Sequence, residues 1–215
     1  MFVVIDGVDA SWKTTQMNLL KKHLDKIGKT YDDYDFPQYD KESSFMVKEY
    51  LAWNLWDLDE ITAKQASLLY AVDRFYVKND MRKSVEEKDF VLSNRYTTSN
   101  IVHQATKLKD EKEQQDIISF IENIEYNILD LPKPDKVIFL DMYIDIAWEL
   151  NKKRWWWQWR DMHELDYDYM KNSYIRAINL AKKLWWTIIK CYKNNKPRSL
   201  EEIQKDIQKE LNIIS

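Results

Sequence analysis

The sequence predicts an α/β fold in three layers, in which a five-stranded parallel sheet is flanked by helices on both faces. Short runs rich in β-branched and aromatic residues alternate with longer stretches that have the spacing of amphipathic helices. In the first run, Phe2-Val-Val-Ile5, consecutive positions are apolar, which is typical of a strand buried on both faces. The five predicted strands are Phe2–Ile5, Lys29–Phe36, Asp89–Ser93, Lys136–Leu140 and Thr187–Cys191.

Helical patterns connect these strands, and local signals mark several of their ends. Gly28 stands where the first helix should stop, because glycine readily adopts the left-handed conformation of a helix C-terminus. Leu131-Pro-Lys-Pro-Asp135 ends another helix before the fourth strand, and Ser199-Leu-Glu-Glu202 is typical of a capping box. The predicted helices lie near residues 13–27, 43–52, 59–87, 98–107, 111–128, 144–154, 164–184 and 199–212.

The composition indicates a globular protein and argues against several other classes. At 215 residues, the chain is long enough for an independent core, and we expect a single domain over residues 1–215. The net charge of -3 provides no basic field for nucleic acid, and no run reaches the roughly 20 apolar residues of a membrane span. The chain enters a strand at once, without a signal peptide, and its one cysteine, Cys191, suits a reducing compartment. We therefore expect a cytoplasmic protein that binds neither nucleic acid nor membrane.

The segment between the first strand and the first helix nearly matches the phosphate-binding motif G-x-x-x-x-G-K-[ST]. Gly7, Lys13 and Thr14 occupy motif positions, but Trp12 replaces the second glycine. In such a loop, backbone N–H groups and the helix N-terminus bind phosphates, and the lysine lies against the β- and γ-phosphates. A P-loop NTPase fold is thus predicted, with ATP bound by Gly7, Val8, Asp9, Ala10, Ser11, Trp12, Lys13, Thr14 and Thr15.

Two oxygen-bearing residues of this loop are candidates for a Mg²⁺ site. The hydroxyl of Thr14 is the usual metal ligand of the motif. Asp9 is an unusual carboxylate beside phosphates, and it makes sense if it meets a metal-bound water or a substrate hydroxyl. The alternative is a chance occurrence of a glycine and a Lys-Thr pair after a strand.

A series of shorter motifs follows the loop, and together they resemble thymidylate kinases, the P-loop nucleoside monophosphate kinases that make dTDP from dTMP and ATP. The resemblance covers the chain to about residue 190 and depends on the order and spacing of the motifs rather than on any one of them. The motifs are Phe36-Pro-Gln-Tyr39, Tyr70-Ala-Val-Asp-Arg74, Ser93-Asn-Arg-Tyr96, Ser99-Asn100, His103-Gln104, Leu131-Pro-Lys-Pro-Asp135 and Arg160-Asp-Met-His-Glu164.

The resemblance implies a catalytic set, Mg²⁺ as cofactor with ATP as donor, and a homodimer. Asp9 corresponds to a loop carboxylate that acts near the deoxyribose 3′-hydroxyl and the metal, and Arg95 to an arginine that holds the phosphates being joined. Arg154 and Arg160 match a lid, at about residues 152–164, that closes over ATP. Because Ala10 is not basic, the chain is similar to the branch that supplies its catalytic arginine from the lid. The implied catalytic residues are Asp9, Lys13, Arg95, Arg154 and Arg160.

The resemblance also implies a dTMP site. Tyr70 matches an aromatic residue that stacks on thymine, and Arg74 matches the arginine that reads the thymine edge. Asn100 and Gln104 lie on the helix that completes base recognition. The implied substrate-binding residues are Asp9, Phe36, Tyr39, Tyr70, Arg74, Arg95, Asn100, His103 and Gln104.

Simpler interpretations of three of these residues remain open. Tyr70 has the spacing of a core aromatic, and Arg74 beside Asp73 has that of an ordinary helical ion pair. His103 is better placed as a pocket wall than as a general base, since phosphoryl transfer needs mainly positioning and charge neutralisation.

The sequence departs from the family pattern at several positions. Asn94 replaces the usual aspartate before Arg95, Gln38 stands where many members have arginine, and Met142-Tyr143 replaces a proline-rich turn. Trp12 is the most serious departure, because an indole adds bulk beside the phosphates and a positive φ there would cost about 1–2 kcal/mol.

Glycine is scarce in this chain and tryptophan abundant, with 2 Gly and 10 Trp. Many tryptophans stand where a flexible loop would carry glycine: Trp12, Trp53, Trp56, Trp155, Trp156, Trp157 and Trp159. Our hypothesis is that UGA codons, read here as tryptophan, specify glycine in the source organism. UGG codons at these positions would refute it, and engineering or a decayed enzyme are the alternatives. Trp185 or Trp186 is expected to be authentic, because an aromatic before the fifth strand is ordinary.

Two alternative functions remain open at this stage. A kinase for another nucleoside monophosphate would share the loop and the fold. A non-catalytic nucleotide-binding or scaffold protein would account for Trp12 and Asn94.

Overall fold

The computed structural model describes residues 1–8, 10–52, 54, 60–154 and 167–214, and it contains the predicted five-stranded parallel sheet. The strand order is β2-β3-β1-β4-β5, and each neighbouring pair is parallel. All five predicted strands are confirmed with small shifts at their ends. They are β1 (Phe2–Gly7), β2 (Tyr31–Asp35), β3 (Phe90–Asn94), β4 (Lys136–Asp141) and β5 (Thr187–Lys190).

Helices connect the strands and cover both faces of the sheet. A 3₁₀ turn at Glu42–Ser44 precedes the second helix, and a π-helix at Asn123–Ile128 continues the sixth. No helix within the described residues has the length and apolar character needed to cross a bilayer. The α-helices are α1 (Lys13–Lys26), α2 (Phe45–Leu51), α3 (Ala63–Tyr76), α4 (Lys78–Glu87), α5 (Thr97–Ala105), α6 (Glu111–Glu122), α7 (Ile144–Arg154), α8 (Tyr167–Lys183) and α9 (Leu200–Glu210).

Two local features differ from the sequence-based expectation. The helix predicted over 59–87 is divided at Val77, whose φ of -104° and ψ of 12° leave the α-helical region, and its first residues lie outside the described part of the chain. A short hairpin of β6 (Tyr192–Lys193) and β7 (Lys196–Pro197) was not predicted. Its signal is Asn194-Asn195, two residues with positive φ, as a two-residue hairpin turn requires.

The core lies on both faces of the sheet because β1, at its centre, is buried at all six positions. On one face, Val3 and Ile5 pack in a cluster with Leu20 of α1 and Ile203 of α9. On the other face, Phe2 and Val4 pack in a cluster with Met81, Tyr96 and their neighbours. The continuous apolar run at the N-terminus therefore becomes the central strand, as a doubly covered parallel sheet requires.

Three helices end in the same Schellman motif, in which one residue takes the left-handed conformation. At the end of α1, Gly28 has φ 67°, its N–H donates to Asp25 O, and Lys29 N–H donates to Leu24 O. Asn212 has φ 55° after α9, with the equivalent pair of hydrogen bonds. Glycine and asparagine are the residues that tolerate this conformation best. The capping box at Ser199 and Glu202, at the start of α9, is also confirmed.

The third Schellman motif, after α8, places a tryptophan in the left-handed position. Trp185 has φ 59°, its N–H donates to Lys182 O, and its neighbour's N–H donates to Ala181 O. The Trp185 side chain is 91% exposed, whereas Trp186 stacks on Phe139 with ring centroids 6.2 Å apart. Trp186 is therefore a partly buried aromatic packed against the core, while Trp185 has the left-handed conformation that glycine favours. This geometry adds Trp185 to the tryptophans that our codon hypothesis assigns to glycine.

We expect Trp185→Gly to raise the free energy of unfolding by about 1 kcal/mol, because it relieves the left-handed strain without removing a buried side chain. Urea denaturation followed by circular dichroism measures the change. Trp186→Gly is the matched control and should lower stability, because it removes the ring stacked on Phe139. A loss of stability in Trp185→Gly would contradict the assignment of position 185.

Candidate active site

The carboxyl ends of β1, β2 and β3 meet at one edge of the sheet, and the candidate active site lies there. The register pairs Ile5 with Asn94, and Asn94 with Asp35, so that these three strands end side by side. In open α/β sheets, ligands bind outside the carboxyl ends of the strands. The loop after β1 opens on this edge, as the sequence predicts.

The loop geometry explains one glycine and conflicts with one tryptophan. Gly7 has φ 151°, and a Cβ there would lie 2.6 Å from Leu140 O and 2.7 Å from Ser11 Oγ, so only glycine fits. Trp12 is the N-cap of α1 with φ 64° and ψ 24°, a left-handed conformation, and makes no side-chain capping hydrogen bond. Its half-buried indole packs against the core cluster of Val3 and Leu20. Position 12 thus has the backbone conformation that the motif's second glycine normally supplies.

Lys13 and the first turn of α1 lie close together at the end of the loop that follows β1. Lys13 is 8% exposed, and its Nζ donates to Gly7 O at 3.0 Å and Val8 O at 2.9 Å, so the ammonium group lies within the curve of the loop. The first N–H groups of a helix lack partners within it and carry a partial positive charge. Thr14, in this first turn, is exposed and Thr15 is half-buried. The cation and the helix terminus are therefore brought together at one point.

Asp6 holds the end of β1, and sequence reasoning did not single it out. Its carboxylate is 2% exposed and accepts hydrogen bonds from Gly7 N, Thr98 Oγ1 and Ser99 Oγ at 2.6–2.8 Å. These bonds fix the strand end to the start of α5. A charged residue inside an otherwise apolar strand was the available signal, because such a residue needs buried partners.

Arg95 is held at the same edge in a strained conformation. It follows β3 directly with φ 63°, and its N–H donates to Ile5 O at 3.0 Å. Its Nη1 lies 3.4 Å from Ser99 Oγ and 3.1 Å from His103 Nε2. Strained residues persist only where the surroundings determine them, and they concentrate at functional sites. The structure thus brings together Arg95 and His103, as the resemblance implies.

Asp35, at the end of β2, places a carboxylate next to Asn94, a residue that has an amide where the family usually has an aspartate. Asn94 Nδ2 donates to Asp35 Oδ1 at 2.9 Å, while the buried Asn94 Oδ1 has no hydrogen-bond partner among the described residues. Desolvation raises the pKa of Asp35, and the Asn94 hydrogen bond and the charges of Arg95 and Lys13 oppose the shift. The acidic group absent from β3 therefore lies one strand away on β2, a residue that sequence reasoning passed over.

Arg74 lies in a buried polar cluster beside the site, and its ion partner is not its neighbour Asp73. Its Nε and Nη2 donate to Glu125 Oε2 and Oε1 at 2.6 and 2.5 Å, and its side chain is 3% exposed. Burial alone would lower the pKa of Arg74, but the Glu125 carboxylate reverses this, so the pKa is raised. Asp73 instead accepts from Gln38 N and Ser43 Oγ. Gln38, where many members of the family have arginine, thus anchors the segment after β2 to α3.

The other implied dTMP-site residues differ in how accessible they are. Phe36 is 2% exposed between Tyr34 and Tyr96, whereas Tyr39 is 56% exposed. Tyr70 is half-buried, with its ring edge-on to Tyr50 at 6.4 Å, so it is not a fully buried core residue.

Two residues of α5 that the resemblance assigns to base recognition are almost completely buried. Gln104 is 1% exposed and accepts from Lys107 Nζ at 3.0 Å. Asn100 is 3% exposed and donates from Nδ2 to Ser67 O and Glu125 Oε1.

Several predicted residues lie outside the described part of the chain. Asp9 is one of them. Most of the predicted lid, including Arg160, also lies outside, because the described residues stop at Arg154, the last residue of α7, and resume at residue 167. The same holds for six tryptophans of the glycine hypothesis: Trp53, Trp56, Trp155, Trp156, Trp157 and Trp159.

Comparisons with a family model and with individual relatives point to the same family. The family model described as Thymidylate kinase matches residues 5–207. A probable thymidylate kinase of Methanocaldococcus jannaschii is 28% identical over 207 residues, which cover 96% of this chain and 93% of the relative. The thymidylate kinase of Mycobacterium tuberculosis is 26% identical over 196 residues, covering 88% of this chain and 91% of the relative.

A solved structure of similar fold supports the same assignment. The thymidylate kinase from Candida albicans superposes with a TM-score of 0.72 at 18% identity, covering 98% of this chain and 90% of that one. This similarity shows the fold, and the sequence-level match over residues 5–207 shows the family. The chain belongs to the thymidylate kinase family.

Proposed function

We propose that this protein transfers the γ-phosphoryl group of ATP to dTMP, giving dTDP and ADP. The observation that carries the proposal is the convergence of Lys13, the N-terminus of α1 and Arg95 on one edge of the sheet, next to the buried cluster around Arg74. The names of the relatives, all thymidylate kinases, support the choice of reaction.

On the donor side, we propose that the loop from Gly7 to Thr15 binds the phosphates of ATP. Lys13 needs only to exchange the carbonyls of Gly7 and Val8 for phosphate oxygens, since its ammonium already lies inside the loop. The lid arginines Arg154 and Arg160 would add positive charge next to the phosphates of ATP, as the resemblance implies. Phosphoryl transfer depends mainly on such positioning and charge neutralisation, so no dedicated base is required.

The donor set also fits Mg²⁺, which would neutralise phosphate charge when bound. Thr14 presents an exposed hydroxyl on the first turn of α1, and Asp35 presents a carboxylate near Lys13. Hydroxyl and carboxylate oxygens are suitable ligands for this hard cation, which commonly takes only one or two groups from the protein. Asp9 remains a proposed contributor from the resemblance.

On the acceptor side, we propose that dTMP lies against α3 and α5. Tyr70, one turn before Arg74, would stack on the base, and Arg74 and Asn100 would read its edge. Arg95 would hold the acceptor phosphate. The remaining walls of this pocket would come from Phe36, Tyr39, His103 and Gln104.

We further propose a cytoplasmic homodimer in which each chain acts as one catalytic domain. Helix α3 carries an exposed apolar stripe at helical spacing, with Leu68 39%, Val72 57% and Phe75 45% exposed. Such a contiguous stripe on a surface helix commonly marks a protein interface. A second copy of this chain is the occupant that the family resemblance implies.

We expect Trp12→Gly to raise kcat for dTMP phosphorylation at least tenfold over the chain as written. Glycine relieves a left-handed strain of about 1–2 kcal/mol at the start of α1 and removes a bulky side chain from the loop that is proposed to bind the phosphates. ADP release with dTMP, ATP and Mg²⁺ measures the effect.

Two control variants separate the causes of the Trp12 effect. Trp12→Ala removes the bulk but keeps the strain, so it should recover only part of the activity. Trp12→Gly combined with Lys13→Ala should lose the gain, because the loop then lacks its cation. Binding of nucleotide without turnover in Trp12→Gly would instead favour a non-catalytic binding protein, and preference for another monophosphate would favour a different kinase.

We expect the protein to sediment at twice its 26.2 kDa chain mass and Val72→Asp to sediment as a monomer. The substitution places a charge in the centre of the α3 stripe, where burial against a second copy would be unfavourable. Sedimentation velocity measures the state. Ile128→Asp, at a position 63% exposed on the π-helix, is the matched control and should remain dimeric. A monomeric parent would rule out the proposed dimer.

A further inference from the structure

We propose that Glu125 is the positioning residue that sets base selectivity, because it fixes the hydrogen-bonding pattern that Asn100 and Arg74 present to the base. The selectivity inferred is for a thymine or uracil edge over a cytosine edge. This inference rests on the proposed dTMP site and adds to it a residue that touches neither substrate nor phosphate.

Glu125 is fully buried and its carboxylate is saturated with donors. It accepts from Arg74 Nε and Nη2 at 2.6 and 2.5 Å, from Thr97 Oγ1 at 2.6 Å and from Asn100 Nδ2 at 2.8 Å. Each carboxylate oxygen thereby receives two hydrogen bonds, which is the full capacity of the group. The Glu125 side chain therefore has a single orientation, and so do the groups that donate to it.

The carboxylate determines which atom of Asn100 is left for a ligand. Asn100 Nδ2 donates to Glu125 Oε1 and to the carbonyl of Ser67 at 3.0 Å, and both partners can only accept. The amide nitrogen must therefore face them, so Oδ1 faces the other way. That oxygen is buried and has no hydrogen-bond partner among the described residues. A buried acceptor without a donor is unusual because it carries an uncompensated desolvation free energy. A hydrogen bond from a ligand N–H would offset that cost.

Arg74 is constrained by the same carboxylate. Glu125 takes Nε and Nη2, which leaves Nη1 outside the ion pair, and the Tyr96 ring lies 5.9 Å from the guanidinium carbon. Arg74 can then offer a ligand only donors, whereas Asn100 offers an acceptor. A carbonyl next to a ring N–H, as in thymine and uracil, complements this pair. Cytosine carries an amino group and an unprotonated nitrogen at the same places and opposes both.

The local fold around Glu125 supports a positioning role. It lies in the π-helix Asn123–Ile128, a rare geometry that recurs at functional sites. A buried ion pair is weak evidence of a stabilising role, because apolar pairs of similar volume often serve the fold as well or better. An apolar pair could not orient the hydrogen-bonding groups of Arg74 and Asn100, as the Glu125 carboxylate does.

The test is Glu125→Gln in a Trp12→Gly parent, with calorimetric dissociation constants for dTMP and dCMP and separate KM values for dTMP and ATP. Glutamine keeps the size of the side chain but replaces one carboxylate oxygen with an N–H donor. Only the Ser67 carbonyl then holds the Asn100 amide nitrogen in place, and Arg74 loses the charge of its partner. We expect the preference for dTMP over dCMP to fall about tenfold or more, an amount typical of one misdirected buried hydrogen bond. The KM for dTMP should rise while that for ATP stays within about twofold.

Thr97→Val is the matched control for a merely structural effect. It removes one hydrogen bond to the same carboxylate without removing the Arg74 or Asn100 contacts, so it should lower thermal stability and leave the dTMP preference unchanged. An unchanged preference in folded Glu125→Gln, or a joint rise of both KM values, would overturn the proposal.

A second variant keeps the proposal testable if Glu125→Gln does not fold. Glu125→Asp keeps the negative charge beside Arg74 but withdraws the carboxylate by one methylene from Arg74 and Asn100, so its dTMP preference should also fall; retention of the preference would overturn the proposal. The binding data also separate this inference from the proposed reaction. A parent that binds dTMP selectively but transfers no phosphate overturns the reaction alone, whereas a parent without dTMP selectivity overturns the base-selectivity inference.

Discussion

The candidate site depends on hydrogen bonds that stabilise two buried carboxylates, those of Asp6 and Glu125. Helix α5 begins with four consecutive polar residues, at 97–100, all of them buried. Thr98 and Ser99 donate to Asp6 at the end of β1, whereas Thr97 and Asn100 donate to Glu125. A buried carboxylate without such donors would be strongly destabilising. One turn of helix therefore connects the end of β1 to the buried cluster around Glu125.

This coupling accounts for the position of Arg95 between the two halves of the site. The residue follows β3, and its N–H is held by Ile5 of the central strand while its side chain reaches α5. Its left-handed conformation is tolerated because contacts with neighbouring elements hold both its backbone N–H and its side chain in place.

The parts of the structure that follow from local pattern were predictable from sequence, and those that depend on distant partners were not. The continuous apolar run of β1, the glycine after α1 and the capping box of α9 each carry their signal within a few residues. The ion pair of Arg74 with Glu125 joins residues 51 positions apart, and nothing near Arg74 distinguishes Glu125 from its neighbour Asp73 as the partner. The hydrogen bond from Asn94 to Asp35 can be predicted only with the knowledge that β2 and β3 are adjacent in the sheet.

The backbone itself separates two kinds of tryptophan in this chain. Trp12 and Trp185 have φ of 64° and 59°, whereas Trp186 packs as a core aromatic. Trp185 shares its hydrogen-bonding motif with Gly28 and Asn212, so the same local geometry occurs twice with a residue that suits it and once with one that does not. The exposed ring of Trp185 gains no burial that would offset its unfavourable backbone conformation. Trp12 has the same backbone conflict at the start of α1, although its indole packs against the core, so among the described residues the geometry of these two tryptophans supports glycine in their place.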